Sequence, residues 1–218
     1  MSIGPREIPP VIGHHAGWGL ISPRIPVQPY KLTPGATDTM RVRVREKIDI
    51  YGVGTDVVQM EGVFIVRRDH PRPVDVRGKA GDLKWGQAVI KAEFRALELY
   101  GESPLFGTVR VRLDPKHETF AEVTPAEAGS QAAKCNALVH PVVELPELGL
   151  TLDTGGQPVE LASKVIQVPP VGDVARSRNS VPLVDENGRR VGELVSADIE
   201  VGDVIFSIPL GATERRPG

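Results

Sequence analysis

The sequence is short of most of what common enzyme chemistry needs. It holds one cysteine, Cys135, among 218 residues, which excludes an internal disulfide and a thiolate metal cage. Aromatic residues make up only 5%, so stacking platforms for single-stranded nucleic acid are scarce. No apolar run approaches the roughly 20 residues of a membrane helix. The start, MSIGPREIPP, has no basic segment followed by an apolar run, so no signal peptide is expected and the cytoplasm is the expected compartment. There is no Gly-x-Ser-x-Gly elbow and no Gly-Lys-Ser/Thr phosphate loop. With 26 basic and 28 acidic residues the net charge is −2, which gives no general pull toward nucleic acid or an anionic membrane.

Turn-forming residues, in contrast, are plentiful. The 23 glycines and 20 prolines are spread along the whole chain, which favours many strands and many turns. Residues 39–69 set the pattern. Met40, Val42, Val44, Ile48 and Ile50 fall on one side of an extended chain, and Arg41, Arg43, Arg45, Lys47 and Asp49 on the other. That is the period-two alternation of a half-buried strand, broken only at Glu46. Tyr51-Gly52-Val53-Gly54 supplies a turn, and Val58, Met60, Phe64 and Val66 line the return strand.

Residues 87–100 read two ways. As a strand, Ala88, Ile90, Ala92, Phe94 and Ala96 share a face; as a helix, Ile90, Phe94 and Leu97 form a stripe. The neighbouring strands favour the first. Tyr100 to Pro104 reads as a turn, and 107–114 alternates through Val109, Val111 and Leu113. Ile50-Tyr51-Gly52 and Leu99-Tyr100-Gly101 then begin a weak repeat of one hairpin. Thr124-Pro125-Ala126-Glu127 has the form of a helix start, with an Ala-rich run of two or three turns as far as Cys135. Later turns are expected at Thr154-Gly155-Gly156-Gln157, Asp185-Glu186-Asn187-Gly188 and Glu200-Val201-Gly202-Asp203, each closing a hairpin. Val165 to Val171 reads as a short edge strand. The expected fold is all-β, an antiparallel β-sandwich or barrel-like sandwich of about ten short strands with at most one short helix. Residues 1–38 form a Pro-rich arm, 39–210 the β-sandwich domain and 211–218 a frayed tail.

Candidate sites are few. His14, His15 and His117 are the candidate metal ligands, but the five histidines include no His-x-His and no helical His-x-x-x-His. Surface and turn histidines are the simpler reading. The segment EVGDVIFSIPLGA, from Glu200, resembles the GDxxxIPxG strand-turn element of the cupin barrels. That resemblance implies a β fold and a metal-assisted active site. The histidine that usually follows in that family is replaced here by Gly211-Ala212-Thr213. Trp18 and Trp85, each followed by glycine, are candidates for ligand or partner contact, although a tryptophan plugging the core is the plainer role. Cys135 beside an Ala-rich run reads as a small hydrophobe. The arginine faces 41–45 and 110–112 read as solvated outer faces.

With catalytic motifs missing and an apolar arm present, the leading expectation is a non-catalytic binding or assembly module. It would have a protein partner or self-associate as a homo-oligomer, with no nucleic acid, membrane or cofactor. The alternatives are a small metal-dependent, cupin-like enzyme, the one reading that calls for a divalent metal, and a carbohydrate- or small-ligand-binding module.

Overall fold

The structure, a computed structural model, describes residues 34–73, 88–124 and 132–211. Thirteen strands account for nearly all of it. They are β1 (Ala36–Ile50), β2 (Gly54–Arg68), β3 (Arg72–Pro73), β4 (Ala88–Ser103), β5 (Gly107–Leu113), β6 (Phe120–Thr124) and β7 (Ala133–Val139). There follow β8 (Pro141–Leu145), β9 (Leu150–Leu152), β10 (Val159–Val165), β11 (Val174–Ser177), β12 (Val181–Val184) and β13 (Arg190–Pro209). Among the described residues the helical content is one 3-10 turn, Pro146–Leu148. The all-β antiparallel expectation holds, in its barrel-like form.

The pairing closes on itself twice. In the first ring β1 pairs β2, β2 pairs β4, and the order continues through β6, β7, β10, β11 and β13 back to β1. Every contact in it is antiparallel, so this is an eight-stranded closed barrel with no free edge inside the ring. In the second ring β1, β2 and β4 continue into β5, β8 and β9. An isolated bridge between Asp153 and Val184, with N···O distances of 3.0 and 2.9 Å, joins β9 to β12, and β12 returns to β13. The long strands β1, β2, β4 and β13 serve both barrels, one half of each strand in each.

The β1–β2 hairpin follows the alternation closely. Val42, Val44, Ile48 and Ile50 are buried and Arg41, Arg43, Arg45 and Lys47 are exposed. Glu46 does not break this pattern. It keeps the inward register and is 5% exposed, opposite Val58 and Ala197. The exposed arginines pair with acids across the strands: Arg43 with Glu61 at 3.3 Å and Arg112 with Glu144 at 2.8 Å.

Several expectations are corrected. β4 is a strand, but its inward face shifts. Ile90, Ala92 and Phe94 turn to the interior in its first half, and Leu97 and Leu99 in its second. A bulge opposite Ile65/Val66 inserts one residue, since Ala96 faces Ile65 while Phe94 faces Val66. That extra residue produced the helix-like Ile90, Phe94, Leu97 spacing. Tyr100 and Gly101 lie inside β4 rather than in a turn, which falls at Pro104–Phe106. The repeat is therefore not structural: Gly52 sits in a turn with φ +81°, and Gly101 pairs with Met60 and Val109.

The helix expected to reach Cys135 is overturned at its end, where Ala133, Cys135 and Ala137 are the inward residues of β7. Residues 125–131 lie outside the described residues. The turn at Thr154 to Gln157 forms, closed by Gln157 N–H to Thr154 O at 3.1 Å. Its flanking strands pair elsewhere, β9 with β8 and β10 with β7 and β11, so it links the two barrels. The turn at Asp185 to Gly188 does close the β12–β13 hairpin. No turn exists at Glu200 to Asp203. β13 runs on for 20 residues because β1 offers it a partner along its whole length, with bulges taking up the curvature. β10 stops at Val165, and the Pro169-Pro170 segment caps the barrel instead of extending its edge.

Glu46 has no side-chain partner to offset its burial, and burial pushes its carboxyl up to about 7 from an ordinary 4.5. The unfolded carboxyl loses its proton first as pH rises. Stability therefore falls between those two values and levels off above the higher one. Glu46→Gln is expected to be more stable than the native chain by about 2–3 kcal/mol near pH 8. The gain should vanish below about pH 3.5, where both states are protonated. Thermal unfolding at the two pH values checks this.

Candidate functional site

The two barrels are filled differently. In the second, Ile48, Met60, Leu99, Phe106, Leu145 and Leu183 point inward, all 4% exposed or less. Large side chains occupy the interior there. In the first, the inward positions of four strands carry alanine: Ala92 on β4, Ala121 on β6, Ala137 on β7 and Ala175 on β11. A methyl group cannot reach the barrel axis. The result is a cavity of about 100 Å³, walled by these alanines and by Phe64, Phe94, Leu161 and Ile199. Phe64 and Phe94 meet edge to face at 5.4 Å and form one side of it.

Polar groups gather toward one end, where β1 begins and β2, β6 and β10 finish. Asp38 and Arg68 line the cavity there and form an ion pair at 2.5 Å, with side chains 2% and 6% exposed. Ser207 donates its hydroxyl to Asp38 at 2.5 Å, and the Arg68 guanidinium also donates to the Pro34 carbonyl. Deleting one member of such a buried pair typically costs about 3–5 kcal/mol, because the other charge is left uncompensated. These two charges hold the end of the barrel together and satisfy each other.

Cys135, Ser163 and Asp173 form a second polar group on the wall. Cys135 and Ser163 are cross-strand neighbours on β7 and β10. Burial pushes the Cys135 thiol up to about 11; the Ser163 hydroxyl bonded to it acts in the opposite sense, and the Asp173 charge raises it further. Burial also raises the Asp173 carboxyl, against the backbone N–H of Ile166, and Asp173 Oδ2 is buried without a hydrogen-bond partner. This chemistry is inert. A thiol held protonated is no nucleophile, and the Asp173 charge beside it holds the proton on more firmly.

Of the sequence-based site residues, His14, His15, Trp18 and Trp85 lie outside the described residues. His117 lies in the loop after β5, away from the cavity. Its Nδ1 meets Asp114 Oδ2 at 2.8 Å, and its ring stacks on His140 at 4.8 Å and 18°. Burial alone would raise the Asp114 carboxyl. The Lys116 N–H and the His117 imidazole outweigh it and hold the carboxyl below its ordinary range. Burial, helped by His117, holds His140 below the usual histidine range. Asp114 also binds the His140 carbonyl through its own N–H at 2.8 Å, and the His140 N–H donates to Thr119 at 3.2 Å. The group ties the β5–β6 connection to the step from β7 to β8. Among the described residues no three His, Cys, Asp or Glu side chains converge as metal ligands do. The cupin-like segment lies within the continuous, bulged strand β13, without the turn that the resemblance implied.

The cavity residues went unnoticed in the sequence. Their signal is alanine recurring at inward positions of separate strands, which is visible only once the inward register of each strand is known.

The fold and its interior define a closed antiparallel β-barrel with an apolar cavity, continued along shared strands into a second, filled barrel. A family model described as a family of unknown function, DUF6073, matches residues 7–211, and the chain belongs to that family. A solved structure, DynF from the dynemicin biosynthesis pathway of Micromonospora chersina, has a similar fold. The TM-score is 0.71 at 22% identity, over 82% of this chain and 85% of that one. No curated protein matches the chain. No helix among the described residues is long and apolar enough to cross a membrane.

Cys135 should be unreactive in the native protein. Near pH 8 a thiol with a pKa of about 11 is roughly 0.1% thiolate, against about a quarter for an ordinary cysteine. Labelling with a water-soluble disulfide reagent is expected to be at least about a hundredfold slower before unfolding than after it.

Proposed function

We propose that the chain is a non-catalytic binding protein that holds a small, slender apolar molecule inside the first barrel. One observation carries this reading: alanine replaces large side chains at four inward positions on different strands, and an apolar cavity results. A cavity costs stability, because the atoms around it lose packing contacts and apolar burial. A barrel that only had to fold would be filled as the second one is. Apolar cavities of about 150 Å³ stay dry and accept benzene-sized guests, and the space here is of that order. The solved structure named above supports the fold alone.

The binding half of the sequence expectation is retained, with a small molecule as partner. The assembly half rested on the N-terminal arm, most of which lies outside the described residues. The apolar wall suits a hydrocarbon body better than a sugar, whose hydroxyls need matched polar groups.

Isothermal titration with 1-pentanol tests the proposal. The native chain should bind it with a negative heat-capacity change, the mark of apolar burial. Ala137→Leu fills the cavity from β7 and should weaken binding by at least about tenfold while leaving the fold as stable or more so. Undiminished binding in that variant would place the ligand elsewhere.

A further inference from the structure

The cavity carries a polar anchor, and it defines the ligand more narrowly. Three polar groupings touch the apolar space. Asp38 and Arg68 are paired with each other, and Ser207 completes Asp38. Ser163 and Cys135 are bonded to each other. Asp173 differs. It sits just after Pro169-Pro170 at the start of β11 and lines the cavity, and its Oδ2 is buried with no hydrogen-bond partner. A buried polar oxygen without a partner costs free energy in the empty protein, and a guest that supplies a hydrogen removes that cost. The terminal torsion of an aspartate is soft, so a small rotation presents Oδ2 to the space beside Ala175.

We infer that Asp173 is the residue that anchors the ligand, and that the ligand is an apolar molecule bearing one hydroxyl group, an aliphatic alcohol or a phenol. This rests on the binding role proposed above. A hydroxyl donates to the carboxylate when Asp173 is ionised and accepts from it when it is protonated. It brings no second charge into the cavity, as an ammonium would, and avoids the desolvation cost of a buried ion. A carboxylate guest would meet the charges of both Asp38 and Asp173, with Arg68 already engaged by Asp38. The hydrocarbon body then runs from Asp173 toward Phe64 and Phe94 between the alanine walls.

Two guests of equal size separate the anchor from the cavity: 1-pentanol, and butyl methyl ether, which has an oxygen but no donor. Calorimetry on the full chain should show 1-pentanol binding about fivefold to tenfold more tightly than the ether. Asp173→Leu should abolish that preference and leave ether binding unchanged. Asp173→Asn, whose amide N–H donates to the ether oxygen as well as to the alcohol, should narrow the preference by tightening ether binding. Matching melting curves for the variants exclude a loss of fold. Equal affinity for the two guests in the native chain, or a preference that survives Asp173→Leu, overturns the anchor while the cavity stands. Failure of either guest to bind the native chain overturns the binding role as well.

Discussion

Four strands have to belong to two barrels at once, and the rest of the structure follows from that constraint. β4, β2, β1 and β13 pair side by side in that order, and the outer two change neighbours from end to end: β4 pairs with β6 and then β5, and β13 with β12 and then β11. Where one ring gives way to the other, the sheet changes curvature and its strands crowd. Gly62 and Gly101 lie in the second-barrel half of β2 and β4, where Gly62 pairs with Leu99 and Gly101 with Met60 and Val109. A Cβ on Gly62 would run into the Glu98 carbonyl, and one on Gly101 into Gln59 and Met60. Glycine is used there because the backbones approach too closely for any side chain. The one-residue bulge in β4 marks the changeover itself, the waist between the barrels: it lets Phe94 face the first barrel and Leu97 the second.

The waist is also where inward-facing polar groups collect. Glu46 lies on β1 opposite Ala197, between the stretch of β13 that pairs with β11 and the stretch that pairs with β12. Asp114, Thr119 and His140, 3–9% exposed, occupy the connections where β5 and β7 hand over to β6 and β8. The apolar core is nonetheless continuous from Val42 in one barrel to Leu152 in the other. Unfolding one barrel alone would strip the shared strands from the other, so the two are coupled through β1, β2, β4 and β13.

Local features of the fold were legible in the sequence. The alternation from Met40 to Val66 gave both strands of the first hairpin and their inward face, because a half-buried strand needs no distant information to declare itself. Asp185 to Gly188 declared the last hairpin in the same way. Features that depend on distant partners were not legible. Gly202-Asp203 looks like a turn until β1 runs alongside and Gly202 proves to be a bulge in an unbroken β13. The Ala-rich stretch that ends at Cys135 looks helical until Ala133 and Cys135 prove to be inward residues of β7, held between β6 and β10. β4 looked ambiguous because its period changes midway. The site was less legible still. Asp38, Arg68, Cys135, Ser163 and Asp173 are dispersed over more than 130 positions, and only ring closure brings them to one interior. His117 stood out as a potential ligand, yet its imidazole is engaged by Asp114 and His140.

The central claim is that one barrel is hollow and the other filled. Crystals pressurised with xenon test it most directly, since the gas enters dry apolar cavities without needing a specific contact. The account predicts xenon density in the first barrel, between Ala121 and Ala137 and against Phe64, and none inside the second. Xenon in the second barrel, or an empty first one, would contradict it.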